Sequence, residues 1–185
     1  MRPKAKGTEL KPITGNVWKY GDDINTDVIF PGKYTYTVTD PAEMAAHALE
    51  DLDPIFASTV QKNDVIVAGK NFGCGSSREQ GATCLVFAGI GAVIACSFSR
   101  LFFRNAINSG LPLVQSDEAV AALEKGDEVT VDVTAGTVTT PRGTFEFPPL
   151  PEAVIGIFEA GGLIPYTQKM LGTEQPGNRD ELPGG

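Results

Sequence analysis

The sequence predicts an α/β fold, with a mostly parallel central sheet, βαβ crossovers and an added antiparallel meander. Two observations lead to this prediction. In the middle of the chain, short apolar runs alternate with helical segments, which is typical of buried parallel strands joined by right-handed crossovers. After residue 127 the apolar residues recur at every second position, as they do in antiparallel strands with one solvated face.

The predicted elements follow in chain order. Residues 16–20 and 27–30 are expected to be short strands around a turn-rich loop. Asp40 and Pro41 form an N-cap followed by a first-turn proline, and they predict a helix as far as Glu50. The parallel half is then predicted as a strand at 64–69, a helix at 77–88, a strand at 91–96, a helix at 97–108 and a strand at 111–114.

The last third changes pattern. Ser116 and Gly126 bound a short helix over 117–124. Alternating valines and two turn signals then predict a three-stranded meander, and Pro151 opens a final helix that ends at residue 160. No linker or internal repeat interrupts this order. Residues 1–170 are therefore expected to form one domain, and the polar, Gly/Pro-rich residues 171–185 a disordered tail.

Charge and hydropathy narrow the classes of function. The 185-residue chain has a net charge of -8 and no run of Lys and Arg, which disfavours nucleic acid or an anionic membrane as a partner. The basic N-terminus lacks the apolar core of a secretory signal, and no segment has the apolar length of a membrane span. We expect a cytoplasmic protein that meets anionic ligands in a local cationic pocket.

Cysteine and histidine usage excludes several cofactors. Cys74, Cys84 and Cys96 form no CxxC pair, and His47 is the one histidine of the chain. An odd number of widely spaced cysteines indicates reduced thiols. Zinc sites and iron-sulfur clusters usually need three or four clustered ligands, so no metal is expected in this chain. At least two of the cysteines are expected to be small buried residues.

The candidate site is the glycine-rich stretch between the strand at 64–69 and the helix at 77–88. It lies at the carboxyl edge of a predicted parallel strand, where open α/β sheets bind ligands. The hydroxyls of Ser76 and Ser77, the guanidinium of Arg78 and the N–H groups of the helix start would converge there and suit a carboxylate. The residues expected to support this loop are Gly73, Cys74, Gly75 and Glu79.

Other interpretations of the same stretch remain open. Ser76 and Glu79 also fit a helix capping box, which could coexist with a substrate site. Cys74 could be a nucleophile near a helix N-terminus, although only His47 could serve as its base. A phosphate-binding turn is a further alternative, but the glycine spacing matches neither common nucleotide motif.

Three segments together carry a resemblance to a known family. They are DINTD at 23–27, NFGCGSSREQGA at 71–82 and SFSRLFFRNAINSGLP at 97–112. In this order they resemble the small-subunit family of 3-isopropylmalate dehydratases, the detached swivel domain of the aconitase superfamily. The resemblance implies a swivelling β/β/α fold and a large partner subunit that holds a four-iron, four-sulfur cluster.

The resemblance also implies roles for individual residues. Ser76 would act as an alkoxide base on a small dicarboxylate, and Asp27 matches the active-site aspartate of the family. Ser77 and Arg78 would hold a substrate carboxylate. Lys33, the cation nearest to the position of a superfamily arginine, and its neighbour Tyr34 would also bind substrate. A fold-supporting role is expected for the third segment, which includes Arg100, Arg104, Asn105 and Asn108.

The implied activity is that of a hydro-lyase, active only with the large subunit. The expected reaction interconverts 2-isopropylmalate and 3-isopropylmalate in leucine biosynthesis. Loop 32–38, GKYTYTV, is rich in aromatic and hydroxyl groups, which leaves dimethylmalate, methylmalate or homoaconitate as alternative substrates. A regulatory binding module without catalysis is the alternative of a different class.

Overall fold

The computed structural model describes residues 10–172, and its strands form one sheet. The strands are β1 (Ile13–Lys19), β2 (Val65–Ala68), β3 (Ala92–Ala95), β4 (Leu113–Gln115), β5 (Glu128–Asp132), β6 (Thr137–Thr140) and β7 (Gly143–Glu146). Their order across the sheet is β4-β3-β2-β1-β5-β6-β7. The pairs from β4 to β1 are parallel and those from β1 to β7 antiparallel. The predicted fold class, including the meander, is confirmed.

Strand β1 joins the two halves of the sheet. Its first residues pair antiparallel with β5, where Thr14 lies opposite Thr130. Its last residues pair in parallel with β2, where Trp18 lies opposite Ile66. One seven-residue strand thus belongs to both pairing systems, so the meander continues the same hydrogen-bonded sheet as the parallel strands.

Eight α-helices pack on or beside this sheet in the described residues. They are α1 (Thr26–Ile29), α2 (Pro41–Ala46), α3 (Phe56–Thr59), α4 (Gln80–Phe87), α5 (Arg100–Asn108), α6 (Asp117–Ala122), α7 (Glu152–Ala160) and α8 (Leu163–Leu171), with a 3-10 helix at Gly32–Tyr34. Two predicted N-caps are confirmed. Asp40 accepts a hydrogen bond from the Glu43 N–H at 3.0 Å, and Ser116 accepts one from Ala119 at 3.1 Å.

Strands β2 and β3 are buried along their whole length, as their apolar runs predict. Successive side chains point to opposite faces of the sheet. Ile66 and Ala68 pack on one face with Leu85 of α4, while Val65 and Val67 pack on the other with the meander. The sheet therefore has an apolar core on each side, and its carboxyl edge is left for a site.

The predicted strand at 27–30 is wrong, because these residues form helix α1. The side chain of Asn25 caps this helix by accepting the Asp27 N–H at 2.8 Å. Ile29 and Phe30 are fully buried. A short apolar run satisfies burial equally well as a strand or a helical turn, and the cap decides between them.

Several predicted helix boundaries are also wrong. Helix α2 ends at Ala46, and Leu49 takes a positive φ of 57°, which ends any helix toward Glu50. Helix α4 begins at Gln80, and its N-cap residue Glu79 makes no side-chain capping bond. The capping box that begins at Ser76 is therefore absent. Helix α5 begins at Arg100, after its cap Ser99.

Helices α3 and α8 have no counterpart in the sequence-based prediction. Helix α8 presents exposed apolar side chains, including Ile164 and Met170, so no buried stripe marks it in the sequence. It ends at Leu171, and residues 173–185 of the predicted tail lie outside the described residues. Within residues 10–172, no helix has the length and apolarity needed to span a membrane.

Candidate active site

Two loops meet at the carboxyl edge of the parallel strands. Thr26, at the start of α1, is 1% exposed, and its N–H donates to the Cys74 carbonyl at 2.8 Å. Its hydroxyl donates to the Gly73 carbonyl at 3.2 Å and the Cys74 carbonyl at 3.0 Å. The Gly73 N–H in turn donates to the Ile24 carbonyl at 2.8 Å. These bonds fix the Asp27 segment against the Ser76–Arg78 segment.

Arg78 is the centre of the resulting cluster. Its Nη2 forms an ion pair with the Asp27 carboxylate. Its Nη1 donates to the Thr35 hydroxyl at 2.6 Å, and its Nε donates to the Ser76 hydroxyl at 3.0 Å. The Arg78 side chain is 16% exposed, whereas that of Asp27 is 61% exposed. A planar cation is thus held in a fixed orientation beside a serine and an accessible carboxylate.

This arrangement has a direct chemical consequence. A hydrogen bond from a guanidinium favours negative charge on the accepting oxygen, so the Ser76 oxygen is placed where an alkoxide would be stabilised. A guanidinium carries five N–H donors. The three bonds within the described chain use one donor of each nitrogen, which leaves one N–H on each terminal nitrogen for a bound carboxylate.

The glycines of the loop are needed for close approach. Gly73 has φ +75°, and a Cβ atom there would lie 2.2 Å from the Phe102 side chain. Gly75 has φ +87°, and a Cβ atom there would lie 2.7 Å from Oδ1 of Asn25. Both positions therefore disfavour any other residue, and this close packing brings Ser76 and Arg78 to the edge that carries Asp27.

Replacing Gly73 by Ala is expected to lower the free energy of unfolding by about 2 kcal/mol or more, because it combines left-handed strain with overpacking against Phe102. Chemical denaturation followed by circular dichroism measures this loss. Gly21→Ala is the matched control, since no atom lies within 4 Å of the added Cβ. Equal stability of the two variants would contradict the packing role of Gly73.

Helix α5 and its N-cap residue Ser99 hold the loop through two side-chain hydrogen bonds. The Ser99 hydroxyl donates to the Gly73 carbonyl at 2.6 Å, and the Asn105 amide donates to the Ser77 carbonyl at 2.9 Å. The fold-supporting role expected for this segment fits Asn105, whereas Arg100 and Arg104 are exposed. Thr26, Ser99 and Thr35 also form the site, although they were not among the residues predicted from the sequence. Only Ser99 carried a local signal, as a serine before a helix.

Lys33 and Tyr34 lie outside the Arg78 cluster. The Lys33 ammonium pairs with Glu50 at 2.9 Å, and this hydrogen bond raises the pKa of Lys33 to about 12. The Tyr34 ring stacks on His47 with 3.8 Å between ring centroids. The structure thus places both residues on the loop next to the site but gives their side chains other contacts. Their roles in substrate binding stay predictions.

The cysteines differ from expectation in burial. Cys84 is fully buried, and burial raises the pKa of its thiol. Cys74 and Cys96 are partly exposed, so the expectation of at least two buried cysteines is wrong. His47 bonds to Glu50 through Nδ1 at 2.7 Å, and no contact links it to Cys74 in the described chain. Among residues 10–172, no group of three His, Cys, Asp or Glu side chains is arranged to hold a metal ion.

Comparison with known proteins places the site in a family context. Residues 19–118 match the model of the aconitase C-terminal domain. The chain is 48% identical over 163 residues to a 3-isopropylmalate dehydratase small subunit of Moorella thermoacetica, covering 87% of this chain and 98% of that protein. The corresponding protein of Caldicellulosiruptor bescii is 51% identical over 159 residues, covering 85% of this chain and 95% of that protein.

Two further relatives extend the comparison. A 2,3-dimethylmalate dehydratase small subunit of Eubacterium barkeri is 48% identical over 154 residues, covering 82% of this chain and 94% of that protein. The crystal structure of a 3-isopropylmalate dehydratase from Methanocaldococcus jannaschii superposes with a TM-score of 0.81 at 40% identity, covering 87% of this chain and 96% of that chain. The likeness thus extends over nearly the whole length of each relative.

Proposed function

Because the chain belongs to the aconitase C-terminal domain family, we propose that it is the small subunit of a hydro-lyase that interconverts 2-isopropylmalate and 3-isopropylmalate. The cluster of Ser76, Arg78 and Asp27 carries this proposal, because it joins a hydroxyl, a fixed cation and a carboxylate at one edge of the sheet. The relatives are named 3-isopropylmalate dehydratase small subunits, which supports the same reaction, and its proposed place is leucine biosynthesis.

The reaction requires an acid-base group and a carboxylate clamp. Removal of a proton next to a carboxylate, with loss of the neighbouring hydroxyl as water, gives an unsaturated diacid, and readdition of water in the opposite sense completes the isomerisation. Ser76 is proposed to take and return the proton. Arg78, with Ser77 beside it, is proposed to bind the adjacent carboxylate, where negative charge develops.

Asp27 holds the guanidinium in place through the ion pair with Nη2. The same carboxylate stands 61% exposed at the mouth of the cluster, so it can also accept a proton or a substrate hydroxyl. Serine is a poor base in water. Its activation is proposed to require the Arg78 bond together with exclusion of water at a closed subunit interface.

The second half of the site is proposed to come from a large partner subunit with a four-iron, four-sulfur cluster. That cluster would supply a Lewis acid for the substrate hydroxyl and a carboxylate. The residues of this chain provide the base and the groups that bind the substrate carboxylate. We therefore expect the isolated chain to be inactive. It gains activity only in the complex.

Reconstitution tests this proposal. The chain is mixed with a cluster-loaded large subunit, and the absorbance of the unsaturated diacid is followed from 2-isopropylmalate. Turnover in the mixture and none with either subunit alone is the expected result. Turnover by the chain without a partner would refute the requirement for a second subunit, and a stable complex without turnover would favour a regulatory binding module.

A second substrate deserves the same assay because one relative acts, by its name, on 2,3-dimethylmalate. Loop 32–38 contributes Tyr36, which is 95% exposed, beside threonine hydroxyls. Comparing kcat/KM for isopropylmalate, dimethylmalate, methylmalate and homoaconitate ranks the candidates. We expect isopropylmalate to give the highest value. A higher value for dimethylmalate would transfer the assignment to that substrate.

A further inference from the structure

A group of four side chains, which we name the Glu50 clamp, lies beside the candidate site. It consists of Glu50, Lys33, His47 and Tyr34. One carboxylate oxygen of Glu50 pairs with Lys33 Nζ at 2.9 Å, and the other bonds to His47 Nδ1 at 2.7 Å. The His47 ring stacks on the Tyr34 ring, with 3.8 Å between ring centroids and an angle of 20° between the ring planes. Glu50 therefore bonds directly to Lys33 and His47, and both of these residues contact the Tyr34 ring, Lys33 Nζ at 4.7 Å from its centroid.

Glu50 of the clamp is anchored by its neighbour in the chain. The preceding residue, Leu49, is fully buried, and its N–H donates to the Ile29 carbonyl at 2.9 Å. The pKa of Glu50 is lowered: burial raises it, but hydrogen bonds from Lys33 and His47 outweigh that effect. The carboxylate is thus ionised at neutral pH. It can hold Lys33 as an ion pair.

The segment that the clamp holds is weakly structured by itself. Residues 32–34 form a 3-10 turn with bonds of 3.1 Å from Tyr34 to Pro31 and 3.2 Å from Thr35 to Gly32. Such turns have poor hydrogen-bond geometry and rarely persist alone. At the far end of this turn, the Thr35 hydroxyl accepts the bond from Arg78. Val38, which is 4% exposed and whose N–H donates to the Tyr34 carbonyl at 3.0 Å, holds the end of the loop in the core. The position of Thr35 also depends on what anchors Lys33 and Tyr34 at the start of the loop.

We propose that Glu50 is a positioning residue for the substrate site: through Lys33 and the His47–Tyr34 stack, it fixes loop 32–38 so that Thr35 orients the Arg78 guanidinium. This inference rests on the proposed function for its kinetic consequence. In this view Lys33 acts on catalysis through Glu50. Direct contact with the substrate is the competing role for Lys33.

A double-mutant cycle separates the two roles. The variants are Glu50→Gln, Lys33→Met and their combination, assayed in the reconstituted complex. We expect each single variant to raise KM on the order of fivefold with little change in kcat, and the double variant to resemble the singles. If the effects multiply, Lys33 contacts substrate independently of Glu50, and the proposal is overturned.

The matched control is Lys125→Met. Lys125 resembles Lys33 in pairing with a carboxylate, that of Asp53 at 3.4 Å, and in lying over an aromatic ring, that of Trp18 at 5.2 Å. It belongs to neither the loop nor the Arg78 cluster. We expect its KM to equal that of the unmodified chain. A KM as high as that of Lys33→Met would show that the effect comes from a general loss of surface charge.

A measurement without turnover keeps this inference separate from the proposed function. Amide hydrogen exchange of loop 32–38 in the chain is expected to quicken severalfold in Glu50→Gln and stay unchanged in Lys125→Met. Unchanged exchange in Glu50→Gln would overturn the clamp even if the enzyme is active. If the complex has no activity on any malate, quickened exchange still supports the clamp, and only the proposed reaction fails.

Discussion

Replacing Ser76 by Ala is expected to lower kcat of the reconstituted enzyme by about 10²–10⁴-fold, the usual contribution of a positioned acid-base group. The Ser76 oxygen accepts the Nε–H of Arg78 at 3.0 Å, so its removal takes away the one hydroxyl that this cation polarises through Nε. The remaining bonds of Arg78 to Thr35 and Asp27 do not involve Ser76. The KM for substrate should therefore change less than kcat.

The assay for this variant follows the unsaturated diacid under saturating large subunit. Ser58→Ala is the control. Ser58 is exposed, and in the described structure its hydroxyl donates only to the nearby Ile55 carbonyl. Retention of near-normal kcat in Ser76→Ala would show that another group moves the proton. Loss of kcat in both variants would indicate a defect unrelated to the site.

Replacing Arg78 by Lys is expected to lower kcat/KM by about 10²–10³-fold, the loss typical of removing a charge-stabilising donor. A lysine ammonium keeps the positive charge but not the planar fork. It cannot serve Ser76, Thr35 and Asp27 together in their present positions. Both the carboxylate clamp and the polarisation of Ser76 should suffer, so KM rises while kcat falls.

Arg142→Lys is the matched control for this change. Arg142 also pairs with a carboxylate, that of Asp127 at 2.5 Å, and donates to the Ala122 carbonyl at 2.7 Å. It lies in the turn that joins β6 and β7, within the meander. We expect its kinetics to be unchanged. A fall in kcat/KM of Arg78→Lys no larger than that of Arg142→Lys would remove Arg78 from the substrate site.

The alternation of buried runs and helical segments was sufficient to predict the parallel half of the sheet. Residues 65–68 and 92–95 are buried on both faces, and a strand covered on both faces reads as a continuous apolar run. The period-two valines likewise predicted the meander. Hydrophobic periodicity reflects which side chains are buried, and the burial of these side chains determines where the strands form.

The same signal failed where a polar side chain decides the backbone. Residues 27–30 are apolar enough for a strand, but the Asn25 cap makes them a helix. The stretch at Ser76–Glu79 contains a capping box in sequence, yet the Arg78 side chain takes the Ser76 hydroxyl and the helix starts later. Competition for one hydroxyl depends on where Thr35 and Asp27 hold the guanidinium.

The fold class, the family and the loop that carries Ser76, Ser77 and Arg78 could all be predicted from the sequence. Those follow from local chemistry, namely apolar period, glycine placement and motif order. The partners of the charged side chains emerge only in the folded chain, where Asp27 and Thr35 bind Arg78 and Lys33 pairs with Glu50. These partners are separated by 17 to 51 positions in the chain, and no local pattern ranks such pairings. Packing of α1 against α4 brings Asp27 to Arg78, and packing of α2 against α4 places the segment that carries Glu50 beside the same loop.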